Sequence, residues 1–217
     1  MCGRFTLRTD SNALAQHFDL DPAEVAAHFP PPRYNIAPTQ PIAIVRLHPE
    51  SGQRELVRAR WGLVPHWAQA GAPLPALFNA RAETLASKPA FREAFRLRRC
   101  LIPADGFYEW KALGKAKQPW YVHRADGGLF AFAGLWEGES CTLITTAPTP
   151  QLAALHDRMP AMPAPARYAA WLDPAPLPPA ERLALLAPGN GLELYPVRPL
   201  VNRAAHDSPD CLARLDS

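Results

Sequence analysis

The chain has 217 residues, with 23 Lys and Arg against 20 Asp and Glu, a formal net charge of +3. Hydrophobic residues make up 48% and charged residues 20%, a globular composition that excludes a disordered chain. No apolar run approaches the ~18 residues that span a bilayer, and no basic segment leads into an apolar stretch at the start, so neither a membrane span nor a signal peptide is expected and the expected location is the cytoplasm.

Proline, at 26 residues, is about twice its usual share and favours short elements and fixed loops. In chain order, a first helix is predicted over Ser11 to His17. A second starts at Asp21-Pro22-Ala23-Glu24, where Asp caps, Pro suits the first helical position and Glu closes a capping box. Phe29 to Pro41 carries too many prolines for helix and reads as a stiff loop. Strands are predicted over 42–47 and 54–61, joined near Glu50-Ser51-Gly52, and a loop follows over 62–73. F-N-A-R-A-E-T leads to a short helix near Pro89 to Leu97, capped by Ser87. Five strand-like runs then follow, with A-L-G-K-A-K and A-D-G-G as hairpin signals. A helix from Thr149-Pro150 to His156, two more over 164–172 and 178–187, and a strand over 192–197 complete the reading. The expected fold is one α+β domain spanning 1–217: a strongly bent, mainly antiparallel, barrel-like sheet with peripheral helices, a core over about 2–200 and a polar C-terminal tail.

The cysteines are Cys2, Cys100, Cys141 and Cys211, and no pair has metal-ribbon or C-x-x-C spacing. Reduced thiols are therefore expected, with Cys100 and Cys141 in the core. Charge is uneven: residues 1–100 hold 13 Lys and Arg and 8 Asp and Glu, while residues 101–217 hold 10 and 12. The basic half includes Arg4, Arg33, Arg46, Arg54, Arg58, Arg60, Arg81, Arg92, Arg96, Arg98 and Arg99. Guanidinium forks suit phosphate, and solvated strand and helix faces explain the same residues.

Four polar residues are candidates for chemistry. Cys2 becomes N-terminal once Met1 is removed, and then carries an α-amine titrating near ~8 beside a thiol near ~8.5, or lower beside Arg4. An amine converts an aldehyde to an imine, and the adjacent thiol then closes a thiazolidine. Glu109, in G-F-Y-E-W-K, shares a strand face with Phe107 and Lys111, and aromatic surroundings raise a carboxyl pKa toward neutrality. His156, in L-H-D-R-M-P, offers an imidazole for acid–base work. Asn79, in F-N-A-R-A-E, supplies a neutral donor and acceptor that orients a nucleophile. Each also has a structural reading: a residue that merely follows the initiator, a surface strand Glu paired with Lys111, a structural His, a turn Asn.

M-C-G-R-F, R-Y-N-I-A-P, W-G-L-V-P-x-W, N-A-R-A-E-T, G-F-Y-E-W, L-I-T-T-A-P and H-D-R-M-P occur in this order from residue 2 to about residue 200. The series resembles the SOS-response-associated peptidase (SRAP) family of abasic-site processing proteins. The resemblance implies binding of single-stranded DNA that contains an abasic site and a covalent crosslink through Cys2. It implies a catalytic set of Cys2, Asn79, Glu109 and His156, and self-removal of the residue before Cys2. It also implies that Arg4, Arg81 and Arg158 bind phosphates and that Pro38 and Trp67 stack on or wedge between bases. Many members carry two adjacent tryptophans where this chain has His66-Trp67. No cofactor or metal is implied, and a monomer is expected. Trp61 is expected in the core. An N-terminal-nucleophile glutamine amidotransferase-like hydrolase also begins with such a cysteine, but it leaves Glu109 and H-D-R-M-P idle. A non-catalytic binding module explains the arginines but not Cys2.

Overall fold

The computed structural model describes residues 2–29, 31–68, 77–187 and 191–215. Two helices pack against each other near the start, α1 (Ser11–Phe18) and α2 (Pro22–His28). Asp10 and Asp21 cap them, accepting from the Ala13 and Ala23 N–H groups. These caps satisfy first-turn donors that have no partner within a helix.

The strands form two sheets. The first has β1 (Phe5–Leu7), β2 (Arg33–Ile36), β7 (Gly106–Leu113), β8 (Ala116–Arg124) and β12 (Leu192–Pro196), in the order β12-β8-β7-β1-β2. The second contains β3 (Pro41–Leu47), β4 (Arg54–Trp61), β5 (Asn79–Arg81), β6 (Arg99–Ala104), β9 (Phe130–Glu137), β10 (Ser140–Thr146) and β11 (Met159–Pro160). Its order runs β11-β10-β4-β3-β6-β9, and β9 pairs back onto β10, which nearly closes the sheet into a ring. Most pairings are antiparallel, but β10 runs parallel to β4 and β5. β10 changes neighbours midway: β4 gives way to β5 on one side, and β9 to β11 on the other. This hand-over places Asn79, Arg81 and the residues just before Met159 around one end of β10.

The remaining helices are peripheral: α3 (Pro89–Leu97), α4 (Pro150–Ala153), α5 (Tyr168–Leu172) and α6 (Pro179–Ala184). The aromatic core fixes β1. Phe5 stands edge-on to Trp61 at 5.3 Å and to Phe132 at 5.6 Å, and Phe107 to Phe132 at 5.9 Å. Such pairs add about 0.5–1.5 kcal/mol each beyond their buried area. Trp61, Cys100 and Cys141 are core residues, as the sequence predicts. The buried Asp105 ties the far end of β1, accepting from Thr6 Oγ1 at 2.5 Å, Arg8 N–H at 2.7 Å and Thr9 N–H at 3.0 Å. The segment that begins at Cys2 is thus held at both ends of its first strand.

Several expectations are corrected. Residues 29–41 are not all loop: the proline-free Arg33–Ile36 forms edge strand β2, because Asp207 accepts from the Tyr34 and Asn35 N–H groups and pairs with Arg33. Ser87 does not cap α3. The N-cap is Lys88, without a side-chain bond, and Ser87 Oγ donates to the Thr84 carbonyl. A-L-G-K-A-K does close the β7–β8 hairpin, with Gly114 at φ 59°. A-D-G-G does not: β8 and β9 lie in different sheets, and Asp126, bonded to the Gly128 N–H, turns the chain from one to the other. The 149–156 helix ends at Ala153. The 164–172 segment opens with a 3-10 turn over Pro165–Arg167, and the 178–187 helix spans only Pro179–Ala184. Cys211, which has no assigned role in the sequence reading, is fully buried in a small cluster with Tyr108, Tyr121, Val197 and Val201. Residues 69–73 of the predicted loop and Met1 lie outside the described residues. No helix among the described residues is long and apolar enough to cross a membrane.

Candidate functional site at the N-terminal cysteine

β1 pairs with β7 through Phe5–Phe107 and Thr6–Gly106, so the chain leading back to Cys2 lies alongside Glu109. Gly106 is required there: a Cβ on it would stand 2.0 Å from Tyr121 Oη. Alternation along β7 sends Phe107 into the main core, while Tyr108 and Trp110 pack on the opposite side with Tyr121 and Val197; Glu109 is buried near Cys2.

Cys2 is fully buried. Its Sγ contacts the Arg4 carbonyl at 3.8 Å. The expected lowering of its thiol pKa by Arg4 is overturned. Burial, followed by the Glu109 carboxylate, pushes it well above the usual range, and Arg4 opposes this only weakly. The thiol is therefore protonated at neutral pH and needs a base. Glu109 is 2% exposed, and burial raises its carboxyl from 4.5 to about 7, with Asp157 adding to the rise. A carboxyl titrating there gives and takes protons readily at neutral pH.

Asn79 opens β5 with its side chain on the same strand face as Arg81, because the intervening Ala80 turns into the core. Its Nδ2 donates to the Cys2 carbonyl at 2.8 Å. It therefore anchors the backbone of Cys2.

His156 follows α4 and lies against the same cleft. Burial lowers its pKa. Its Nδ1 faces two partners: Asp157 Oδ1 at 2.7 Å and the Arg158 N–H at 3.0 Å. The carboxylate suits a protonated Nδ1 and the amide a bare one, so either form of this nitrogen has a partner.

Arg4, Glu109 and His156 line one cleft of about 460 Å³ with Trp110, Lys117 and Asn202. Trp110 Nε1 donates to Asn202 Oδ1 at 2.8 Å. Sequence reasoning missed Lys117 and Asn202. Lys117 lies near the start of β8, just past the hairpin turn that the sequence does reveal, whereas nothing local marks Asn202, which a late 3-10 turn brings back to the cleft.

Outside the cleft, Arg81 is exposed and Trp67 is 58% exposed. Pro38 is half-buried, in a turn whose next residue, Thr39, has φ 75°. That left-handed conformation costs a β-branched residue about 1–2 kcal/mol. It is held by the Thr39 N–H to the Trp61 carbonyl at 2.7 Å and the Ala37 N–H to Gln40 Oε1 at 3.0 Å. Much of the basic half is spent internally. Arg33 pairs with Asp207, Arg46 with Glu55 and Arg98 with Glu137, and the buried Arg99 donates to the carbonyls of Phe95 and Trp171. Arg158 is forked onto Glu83.

The strands thus form a near-closed ring flanked by a second sheet, and Cys2 is buried within the fold. The family described as SOS response associated peptidase (SRAP) matches residues 1–204, and the chain belongs to it. It is 38% identical over 224 residues to the abasic site processing protein YoqW of Bacillus subtilis (strain 168), a match covering 98% of this chain and 99% of that protein. It is 40% identical to the abasic site processing protein YoaM of the same organism, covering 98% and 97%. Its fold matches the crystal structure of a protein from Bacteroides thetaiotaomicron with a TM-score of 0.81 at 24% identity, over 99% of this chain and 100% of that one.

Proposed function

We propose that this protein acts on abasic sites in single-stranded DNA and forms a covalent crosslink to them through Cys2 after Met1 is removed. The observation that carries the reading is the arrangement around Cys2: Asn79 fixes its carbonyl, and a carboxyl titrating near 7 raises its thiol pKa from close by. Open deoxyribose presents an aldehyde at C1′. The Cys2 amine adds to it, and the resulting hydroxyl leaves as water with a proton from Glu109, giving a protonated imine in which nitrogen keeps its hydrogen. The Glu109 carboxylate then takes the thiol proton and is restored to its acid form, and the thiolate sulfur bonds to C1′ as the C=N electron pair returns to nitrogen. One water is lost overall, and the thiazolidine no longer drives strand cleavage by β-elimination. His156 serves ring opening by protonating the sugar oxygen, a role suited to a half-buried imidazole at the cleft. Asn79 keeps the nucleophile in attack geometry. Glu109 assists reversal by the same transfers run backwards. Self-removal of Met1 by hydrolysis belongs to the same reading and gives the family its peptidase name.

Arg4, Arg81 and Arg158 are assigned to phosphates, and Pro38 and Trp67 to neighbouring bases, a mode that tolerates any sequence. The relatives' names support the substrate. A glutamine amidotransferase-like reaction gains no support from this family membership. The test incubates Met1-processed protein with a single strand carrying one abasic site, followed by a denaturing gel. A retarded band that survives denaturation and is lost in Cys2→Ala is expected. Absence of that band from correctly processed protein refutes the reading.

A further inference from the structure

Arg158 and Glu83 form a two-pronged ion pair beside the site. Arg158 Nη1 donates to Glu83 Oε1 at 2.8 Å and Nη2 to Oε2 at 2.9 Å, and Nη2 also donates to the Thr145 carbonyl at 2.6 Å. This fork is the geometry in which a guanidinium binds two phosphate oxygens. The two partners differ in freedom. The Arg158 side chain is 12% exposed and its Nε is buried, whereas that of Glu83 is 54% exposed and sits in the short 3-10 turn Ala82–Thr84 after β5. Both faces of the fork that a strand would use are therefore covered by the group that moves more easily. Glu83 also lies within the field of the exposed Arg81, two residues earlier, and both arginines hold its carboxyl below the usual range. One carboxylate thus offsets half the charge of two cations assigned to DNA.

We propose that Glu83 is a built-in stand-in for a DNA phosphate: it occupies Arg158 in the free protein and must be displaced when a strand binds, so that it sets affinity for the strand. The inference rests on the function proposed above, and on Arg158 as a phosphate contact in particular. An isolated negative group pays the full cost of displacing Glu83. A strand engaging Arg4, Arg81 and the stacking residues at once pays it from several contacts, so the latch favours an extended backbone over loose anions. A carboxylate also keeps Arg158 in one rotamer while the site is empty, and this preserves the backbone of the loop whose Arg158 N–H reaches His156.

The test measures noncovalent binding of a short single strand that carries a tetrahydrofuran abasic analogue. This analogue has no aldehyde and cannot crosslink. Affinity is read by fluorescence anisotropy over a series of salt concentrations for the parent, Glu83→Gln, Arg158→Gln and the double variant, with thermal melts to confirm folding. Glu83→Gln keeps the shape and removes the charge. It is expected to bind at least about threefold more tightly at low salt, with the logarithmic salt slope steeper by about 0.7, the increment for one further phosphate contact on a single strand. Glu83→Asp, which keeps the charge on a shorter arm, is expected to fall between it and the parent. In the Arg158→Gln background the gain from Glu83→Gln should shrink markedly, leaving only the part that acts through Arg81. Binding by Glu83→Gln that is unchanged or weaker than the parent, in a folded protein, overturns the latch. Arg158→Gln binding like the parent overturns it differently, by removing the phosphate from Arg158. Failure of the parent to bind the strand at all overturns both the latch and the function on which it rests.

Discussion

At Glu109 the proposed chemistry and the stability of the fold pull in opposite directions, and Glu109→Gln separates them. Burial raises the carboxyl from 4.5 to about 7, which corresponds to about 3 kcal/mol of unfavourable ionisation inside the fold. Because the folded pKa is raised, the fold binds this proton more tightly than the unfolded chain does. The group's contribution to stability is fully present below 4.5 and is lost as pH rises through 7. Glutamine has nearly the same shape and stays neutral, so it escapes that loss. At pH 8 the variant should be more stable than the parent by up to about 3 kcal/mol, and near pH 4.5 the difference should largely vanish. In a chain of this size, 3 kcal/mol moves a melting midpoint by roughly 6–12 °C. Activity should go the other way. Crosslinking should slow by about 10²–10⁴, the usual worth of a positioned acid–base group, and its pH dependence near 7 should disappear. Thermal melts from pH 4.5 to 8 and single-turnover crosslinking over the same range read both. A variant less stable than the parent at pH 8, or one that keeps the parental pH–rate profile, refutes this account of Glu109.

Three further outcomes are expected. Asn79→Ala should slow crosslinking by about 10²-fold through lost positioning of Cys2, while binding of the tetrahydrofuran strand stays at the parental level; an unchanged rate removes Asn79 from the mechanism. Trp67→Ala should weaken strand binding by about 1–3 kcal/mol without moving the melting midpoint, since the ring is 58% exposed; equal affinity in an anisotropy titration contradicts the stacking role. Gly106→Ala should lower stability by about 1–3 kcal/mol, because the new Cβ meets the Tyr121 hydroxyl, and it should reduce crosslink yield by disturbing β1; a melt and a yield like the parent's show that the Gly106 contact does not position Cys2.

The helices and strands whose signals are local are legible in the sequence. Asp21 with Pro22 marks the start of α2, and alternation along β7 correctly separates Phe107 from Tyr108 and Trp110. What escapes the sequence depends on partners far along the chain. Edge strand β2 is fixed by Asp207, more than 170 residues away. The A-D-G-G turn looks like a hairpin, but which sheet receives β9 is decided by β6 and β10. The same limit applies at the site. The residue types at Cys2, Asn79, Glu109 and His156 point to chemistry, yet the direction of the thiol shift depends on burial and on Glu109, not on the neighbouring Arg4. The Glu83–Arg158 fork joins two motifs 75 residues apart that reveal nothing of each other.

The central claim is that the atom pair forming the covalent link belongs to Cys2. The most direct measurement is mass spectrometry of the proteolysed crosslink formed by Met1-processed protein on abasic single-stranded DNA. The account predicts that the N-terminal peptide carries the sugar with the mass of one water lost and no reducible imine, so that borohydride leaves the mass unchanged. An adduct on another residue, or one that borohydride converts to a reduced amine at Cys2, would contradict it.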